Sequence, residues 1–386
     1  MQKSKVSIIG AGIPGLCLAL ILAEQSVDVT VIDRKKLPNI SDIKPSGRTA
    51  ALMQNSLSIL QKAGVWPEFK PYANALSKLS IIDDSLFPKG KVGMVRQDFT
   101  ADELGYNAFG YNCSLGLLTA FLADKVKDHK SILLHENVTI DFDDEIIKQA
   151  DLVVGADGRN SAVRQWAGID ADIKEYGQTA ITCLISHTLS HENTSVEFHR
   201  PGGPCTFVPC GEYQSAVVWV EKTVDADNFI KLPKTAFINA LQERSRDLLG
   251  NIALVDGPSS MPLISLKARR LVADKTVLIA EAAHVLSPIG AQGLNLSLRD
   301  VDILADTIVN ALKAGQALGS KAVLQSYERK RLRDIQSRHY GVDILNRIVA
   351  NNNPLLRRVR RIGLKALGFG GPVRHILMQE GLAPKA

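Results

Sequence analysis

Gly10-Ala11-Gly12-Ile13-Pro14-Gly15 stands between the apolar run Val6-Ser7-Ile8-Ile9 and a segment of helical composition. Few arrangements of three glycines constrain a fold so tightly. The first glycine permits a tight turn, and the second lets a dinucleotide pyrophosphate approach the backbone. The third lets the helix pack closely on its strand. The spacing predicts a strand over 5–9, a helix over 14–25 and a parallel strand over 27–33. Pro14 falls in the first helical turn, where a missing N–H is harmless. The helix N-terminus carries roughly half a positive charge and free N–H donors, which suit an anion. Asp33 closes the second strand about 20 residues on, the place from which an acid meets a ribose hydroxyl. The alternative is a packing turn without a ligand. With strand, helix and acid in register, nucleotide binding is the expectation.

The run from Val6 to Ala23 is uncharged and follows Lys3 and Lys5, which also outlines a signal peptide or a short membrane span. Three glycines and Pro14 interrupt it, and charge resumes at Glu24, so the dinucleotide turn is the better account. No other stretch is long and apolar enough to span a bilayer, and a cytoplasmic location is expected. The five cysteines are scattered without a Cys-x-x-Cys pair, so neither a disulfide framework nor a metal-ligand set follows. The net charge of +6 is local: residues 355–375 hold six cationic side chains and no acid. No aromatic residues interleave with them as nucleic-acid platforms require, and no nucleic-acid partner is expected.

A chain of 386 residues has room for two domains. The fold class read from the pattern is α/β: a Rossmann-like domain with an inserted antiparallel β-rich domain and a helical C-terminus. The Rossmann-like pieces are placed at 1–71, 106–171 and 269–340, and the inserted substrate domain at 72–105 and 172–268. A basic amphipathic tail follows over 341–386. Residues 46–63 read as one helix ended by Gly64, and 115–126 as another. Short buried strands are expected at 132–134 and 151–154. Those at 179–185, 195–198, 205–208 and 215–221 are separated by Gly/Pro turns, as in an antiparallel sheet.

Two further segments sharpen the nucleotide site. Asp157-Gly158-Arg159-Asn160-Ser161 follows an apolar strand, and Ala280-Glu281 ends another before Pro288-Ile289-Gly290-Ala291-Gln292-Gly293-Leu294-Asn295. Each alone is a common strand-end turn. In this order, with the glycine triplet, they resemble the three motifs of the group A flavoprotein monooxygenases, the p-hydroxybenzoate hydroxylase type. The resemblance implies FAD as cofactor and NAD(P)H as transient electron donor. It places Asp157 near the FAD pyrophosphate and Glu281 at the ribityl chain. Pro288, Gly290, Gly293, Leu294 and Asn295 then lie along the isoalloxazine ring. Arg48, in Ser46-Gly47-Arg48-Thr49-Ala50-Ala51-Leu52, matches an Arg-bearing segment that approaches FAD at the start of the second helix; a solvated arginine is the alternative. Ala280-Glu281 departs from the Gly-Asp of most members. His284 is expected to be structural, and no catalytic base is assigned.

The departure and the tail together resemble a narrower branch, the ubiquinone-biosynthesis hydroxylases (2-polyprenylphenol hydroxylases). Arg48-Thr49-Ala50-Ala51-Leu52, Ala282–Val301, Gly203-Pro204, Asn353-Pro354-Leu355-Leu356 and Gly363-Leu364-Lys365-Ala366-Leu367 carry this resemblance. It implies hydroxylation of a polyprenylated phenol by O2 through a flavin C4a-hydroperoxide. A hydroxylase of a small soluble aromatic, a non-catalytic FAD-holding scaffold in a quinone-biosynthesis complex, and a prenyl-chain reductase remain open. At 100° per residue, Leu355, Leu356, Val359, Ile362, Ala366 and Leu367 fall within an arc of about 140°. Such a helix over 354–367 can lie on the inner face of an anionic membrane, or pack its apolar arc on its own domain with the basic side solvated.

Overall fold

The computed structural model describes residues 4–84, 94–200, 202–350, 353–368 and 370–382. Strand Lys5–Ile9 pairs in parallel with Asp28–Ile32, and helix Ile13–Ala23 joins them. Every residue of that helix except Pro14 is buried. A helix that is apolar all round needs cover on all sides. The sheet and the helices Leu115–Asp128 and Gln292–Lys313 provide it. Six strands make this sheet, in the order Val272–Ala273, Thr276–Leu278, Leu152–Gly155, Lys5–Ile9, Asp28–Ile32 and Ile132–His135. Only the first pair is antiparallel.

The second sheet has eight strands, ordered His284–Val285, Ile252–Ala268, Ala171–His187, Gln214–Lys222, Gly203–Pro209, Thr194–Arg200, Lys78–Asp83 and Val95–Thr100. It is antiparallel except where Thr194–Arg200 meets Lys78–Asp83. Alternation along the strands sets its two faces. Val196, Phe198, Phe207, Val217 and Trp219 form a core closed by Ala226, Phe237 and Leu241 of helices Thr223–Ile230 and Lys234–Ser245. The intervening Glu197, Thr206, Val218 and Val220 face a cavity on the other side.

Residues 46–63 do not form a single helix. Thr49–Met53 is a strand between turn and helix, paired with Gly110–Ser114, and the helix covers only Gln54–Lys62. Gly110 permits this pairing, because a Cβ there would meet the Leu52 carbonyl oxygen at 2.0 Å. The partner strand lies far along the chain, beyond the reach of local periodicity. Asn74–Leu76 completes this three-stranded sheet.

Helix Lys321–Ala350 runs unbroken through residue 340, where the tail was expected to begin. Pro354–Leu367 and Pro372–Leu382 follow. Asn353 Oδ1 caps the former by accepting from Leu355 N at 2.9 Å. This helix docks with its polarity inverted. Leu355, Val359 and Ile362 are 67%, 57% and 67% exposed. Arg360 instead donates to Asp83 Oδ2 at 2.6 Å, and Arg361 to the Asp83 carbonyl at 2.9 Å. Leu364 is buried on the same side. Of the apolar arc, Leu355, Val359 and Ile362 therefore face outward, while Leu367 packs on the cluster of Phe99, Phe109 and Met378. No helix among the described residues is long and apolar enough to cross a membrane.

Candidate functional site

The glycine loop owes its shape to close contacts. Gly10 has φ +109°, and a Cβ on it would meet the Ala156 carbonyl oxygen at 2.3 Å. A Cβ on Gly15 would lie 2.1 Å from the Gly10 carbonyl oxygen. Gly12 differs: its Cβ direction is open to within 3.8 Å of Pro14 Cδ, and the residue lines the cavity. No side chain caps the helix that starts beyond it. Asp33 braces the loop from behind, with Oδ2 accepting from Ala11 N at 2.7 Å and Oδ1 from Lys35 N at 2.8 Å.

Asp157 does similar work on the neighbouring strand. Its Oδ2 accepts from Ala162 N at 2.6 Å and Val163 N at 3.1 Å. Its Oδ1 is buried without a partner among the described residues. Buried Arg164 ties this turn to the next by donating to the carbonyls of Ala282 and Arg159, each at 2.9 Å. Burial lowers the Arg164 pKa, and the nearby Asp157 charge opposes that shift.

The third turn is held by a buried network. Ala280 sits at φ +56°, in the left-handed region that glycine prefers. Glycine, the residue that the resemblance implies here, would adopt this conformation without strain. Ala280 N and His284 Nε2 both donate to Asp300 Oδ2, at 2.8 and 2.6 Å. Arg331 Nε donates to Asp300 Oδ1 at 2.7 Å. Burial alone would raise the Asp300 carboxyl, but the His284 and Arg331 charges hold it below its ordinary range. Glu281 is half-exposed and pairs with Arg159 at 3.5 Å.

Beyond this turn, Gly290 and Ala291 both take positive φ, of +71° and +53°. Asn295 fixes the loop with four hydrogen bonds. Oδ1 accepts from Met53 N at 2.9 Å and Ser56 Oγ at 2.6 Å, while Nδ2 donates to the carbonyls of Ala51 at 2.8 Å and Ala291 at 2.7 Å.

These turns wall one end of a cavity of about 590 Å³. Gly12, Glu281, Pro288, Gly290, Gly293 and Leu294 line it directly. Gly10, Gly15, Asp33, Asp157 and Asn295 stand one layer behind, and Arg48 is exposed beside the lining residue Thr49. The far end is built by the eight-stranded sheet and its neighbours, with Leu79, Phe109, Val208, Val218 and Val220. Two groups there were not singled out from sequence, Glu197 and Thr206. Period-two alternation would have placed Ser195, Glu197 and His199 on one face, and nothing else marked them.

A Rossmann-like layer whose glycine loop and later strand-end turns meet at one cavity is the architecture of flavin-dinucleotide oxidoreductases. The sequence pattern of the FAD binding domain family matches residues 3–92 and 134–338. The chain belongs to that family, and with it to the flavin-dependent monooxygenases. It is 30% identical over 395 residues to ubiquinone hydroxylase UbiL of Rhodospirillum rubrum, covering 99% of this chain and 90% of that protein. It is 27% identical to 3-demethoxyubiquinol 3-hydroxylase of Escherichia coli, covering 99% of each. Among solved structures it resembles PqsL, a probable FAD-dependent monooxygenase of Pseudomonas aeruginosa. The TM-score is 0.77 at 20% identity, over 95% of this chain and 100% of that one. It also resembles p-nitrophenol 4-monooxygenase PnpA of Pseudomonas putida, with a TM-score of 0.77 at 18% identity over all of both chains.

The residues present fit FAD. Gly12 is open toward the cavity and no side chain among the described residues caps the helix beyond it, which is the cradle an anionic pyrophosphate needs.

Proposed function

We propose that this protein hydroxylates the aromatic ring of a polyprenylated phenol in ubiquinone biosynthesis, with NAD(P)H as electron donor and O2 as co-substrate. The observation that carries this reading is one cavity with two unlike ends: glycine-rich turns at one, and mainly aliphatic and aromatic side chains, with Glu197 and Thr206 among them, at the other. The names of the full-length relatives support the substrate class.

The chain's own residues divide the work. Gly10, Gly12 and Gly15 admit the pyrophosphate to the helix N-terminus. Asp33 and Asp157 shape the adjoining loops and keep acceptor capacity toward ribose and the dinucleotide. Glu281 offers a carboxylate to the ribityl chain. Pro288, Gly290, Gly293 and Leu294 carry the ring, and Asn295 fixes their loop from beneath. Arg48 serves the cofactor's outer edge. FAD, when bound and reduced, supplies the two-electron activation of O2. The apolar end excludes water from the reacting ring.

The inverted tail helix supports peripheral contact with the inner face of a membrane. Leu355, Val359 and Ile362 form an exposed ridge, and Arg358 and Lys365 are exposed beside it. Aliphatic side chains flanked by cations are the chemistry of an interfacial helix on anionic lipid. The substrate's polyprenyl chain resides in that phase.

The deciding experiment supplies a short-chain polyprenylphenol and NAD(P)H under isotopically labelled O2. One labelled oxygen atom in the product ring is expected. Turnover by FAD-loaded protein without label in the product would sink the monooxygenase reading.

A further inference from the structure

We infer that Glu197 receives the phenolic proton of the substrate, with His199 and Thr206 as its positioning residues. This rests on the hydroxylase reading and adds to it the residue that activates the ring.

The geometry is built by strand alternation. Ser195 and Glu197 of Thr194–Arg200 face the cavity, and Thr206 stands directly opposite Glu197 on Gly203–Pro209. Glu197 Oε1 accepts from His199 Nε2 at 2.6 Å, and Oε2 from the Thr206 hydroxyl at 3.3 Å. His199 Nδ1 is buried with no partner among the described residues, so the Glu197 bond alone sets the imidazole tautomer. The wall that carries Glu197 is mainly aliphatic, with Leu79, Val208, Val218 and Val220 beside the polar Lys78, Ser195 and Thr206. The other titratable lining groups are engaged elsewhere: Lys78 pairs with Asp98 at 2.9 Å, Glu281 with Arg159 at 3.5 Å, and His284 with Asp300 at 2.6 Å.

A carboxylate on an apolar wall is costly unless something compensates it. Burial alone would raise the Glu197 carboxyl, yet the His199 hydrogen bond and charge, with Thr206, hold it below its ordinary range. The group is thus an anion with unused lone pairs, an acceptor for a phenol O–H.

An aromatic ring attacked by electrophilic oxygen gains positive charge, and its O–H becomes acidic. As the new carbon–oxygen bond forms, the phenolic O–H bond breaks. Its electron pair enters the ring as the C=O of a dienone, and the proton passes to Glu197. The O–O bond of the activated oxygen breaks as the carbon–oxygen bond forms, and the hydrogen on the attacked carbon is lost as a proton to the departing second oxygen, which restores aromaticity. The carbonyl oxygen then takes its proton back, which regenerates the carboxylate. The inserted atom comes from O2 and the two electrons from NAD(P)H; the second oxygen atom leaves as water. A positioned general base contributes about 10²- to 10⁴-fold in such steps.

The test compares a short-chain prenylphenol with its O-methyl ether, which has no proton to give. In FAD-loaded Glu197→Gln, kcat for the phenol should fall on the order of 10²-fold with little change in KM. The phenol-to-ether rate ratio should fall by the same factor, and Glu197→Asp should recover part of it. A ratio within twofold of wild type, or equal slowing on both substrates, overturns the assignment. Should Glu197→Gln not retain FAD, the ratio is read in Glu197→Asp and His199→Asn, where an unchanged value overturns it equally. A wild-type protein that oxygenates no phenol defeats the hydroxylase reading and this one with it. A wild type that oxygenates phenols with an unaltered variant ratio defeats this one alone.

Discussion

His284 Nε2 donates to Asp300 Oδ2 across 2.6 Å, and the same oxygen takes the Ala280 N–H at 2.8 Å. One fully buried carboxylate therefore fixes a left-handed turn and a cavity-lining imidazole at once. Its other oxygen holds Arg331 of helix Lys321–Ala350 at 2.7 Å, so the helix is locked to the turn it supports. His284 has a bracing role, as its place at a strand end suggested.

Asp300→Asn should be severe. It leaves Arg331 as a buried charge with half its compensation gone, a change that typically costs about 3–5 kcal/mol. Urea unfolding should show that loss, and the purified variant should retain little FAD because Ala280 and Glu281 lose their support. His284→Asn removes one hydrogen bond and leaves the ion pair, and should cost about 1–2 kcal/mol. Equal losses in the two variants would contradict the central place given to Asp300.

The glycine triplet makes a paired prediction. Gly15→Ala puts a Cβ 2.1 Å from the Gly10 carbonyl oxygen, so backbone must move and stability should fall by roughly 1–3 kcal/mol. Gly12→Ala meets only Pro14 Cδ at 3.8 Å, so folding should be unimpaired. Its methyl group would project into the cavity where the pyrophosphate is proposed to lie, and FAD affinity should drop at least about tenfold. Flavin fluorescence titration, read beside thermal unfolding, separates the two effects.

The βαβ unit was legible because its determinants are local: glycines that only one turn geometry needs, and an acid at a fixed distance. The αL turn at Ala280 was not, since alanine carries no mark of positive φ. Thr49–Met53 read as helix because Thr-Ala-Ala-Leu-Met suits either period, and its strand identity comes from Gly110–Ser114. The tail's amphipathic arc was plain in sequence, but its orientation was not. A fully buried Asp83 on a distant strand drew Arg360 and Arg361 inward, which turned the aliphatic side out. Glu197 and Thr206 meet only through strand register, and register is a property of two segments together.

The last helix should loosen in acid. The Arg374 guanidinium bonds both oxygens of Glu103 at 2.6 and 2.7 Å. That contact, against a smaller effect of burial and with help from Thr100, lowers the Glu103 carboxyl from 4.5 to about 2. A depressed carboxyl contributes stability that is complete above its unfolded value and lost as pH falls through its folded one. The tie between Glu103 and helix Pro372–Leu382 should therefore weaken between pH 4.5 and about 2. Hydrogen exchange of that helix should rise across this window. Asp98, whose carboxyl burial would raise but which hydrogen bonds from Arg96, Ser80 and Lys78 together lower to about 2, titrates in the same range. Glu103→Gln is the control: its helix should exchange quickly at neutral pH and lose most of the pH response.

The exposed ridge of the tail should act only at a membrane. Leu355, Val359 and Ile362 are each more than half exposed, so replacing all three by serine should change folding stability by no more than about 0.5 kcal/mol per site. Burying each in a bilayer interface contributes roughly 1.5–3 kcal/mol, and each nearby cation about 1 kcal/mol on anionic lipid. Wild-type protein should sediment with phosphatidylserine-containing vesicles, less so with neutral ones or at high salt. The triple serine variant should stay in the supernatant while turning over a detergent-dispersed substrate at the wild-type rate. Arginine substitutions are a poorer probe, because Arg360 and Arg361 are committed to Asp83 and their loss would detach the helix itself. Equal sedimentation of wild type and the serine variant would remove the ridge from membrane binding.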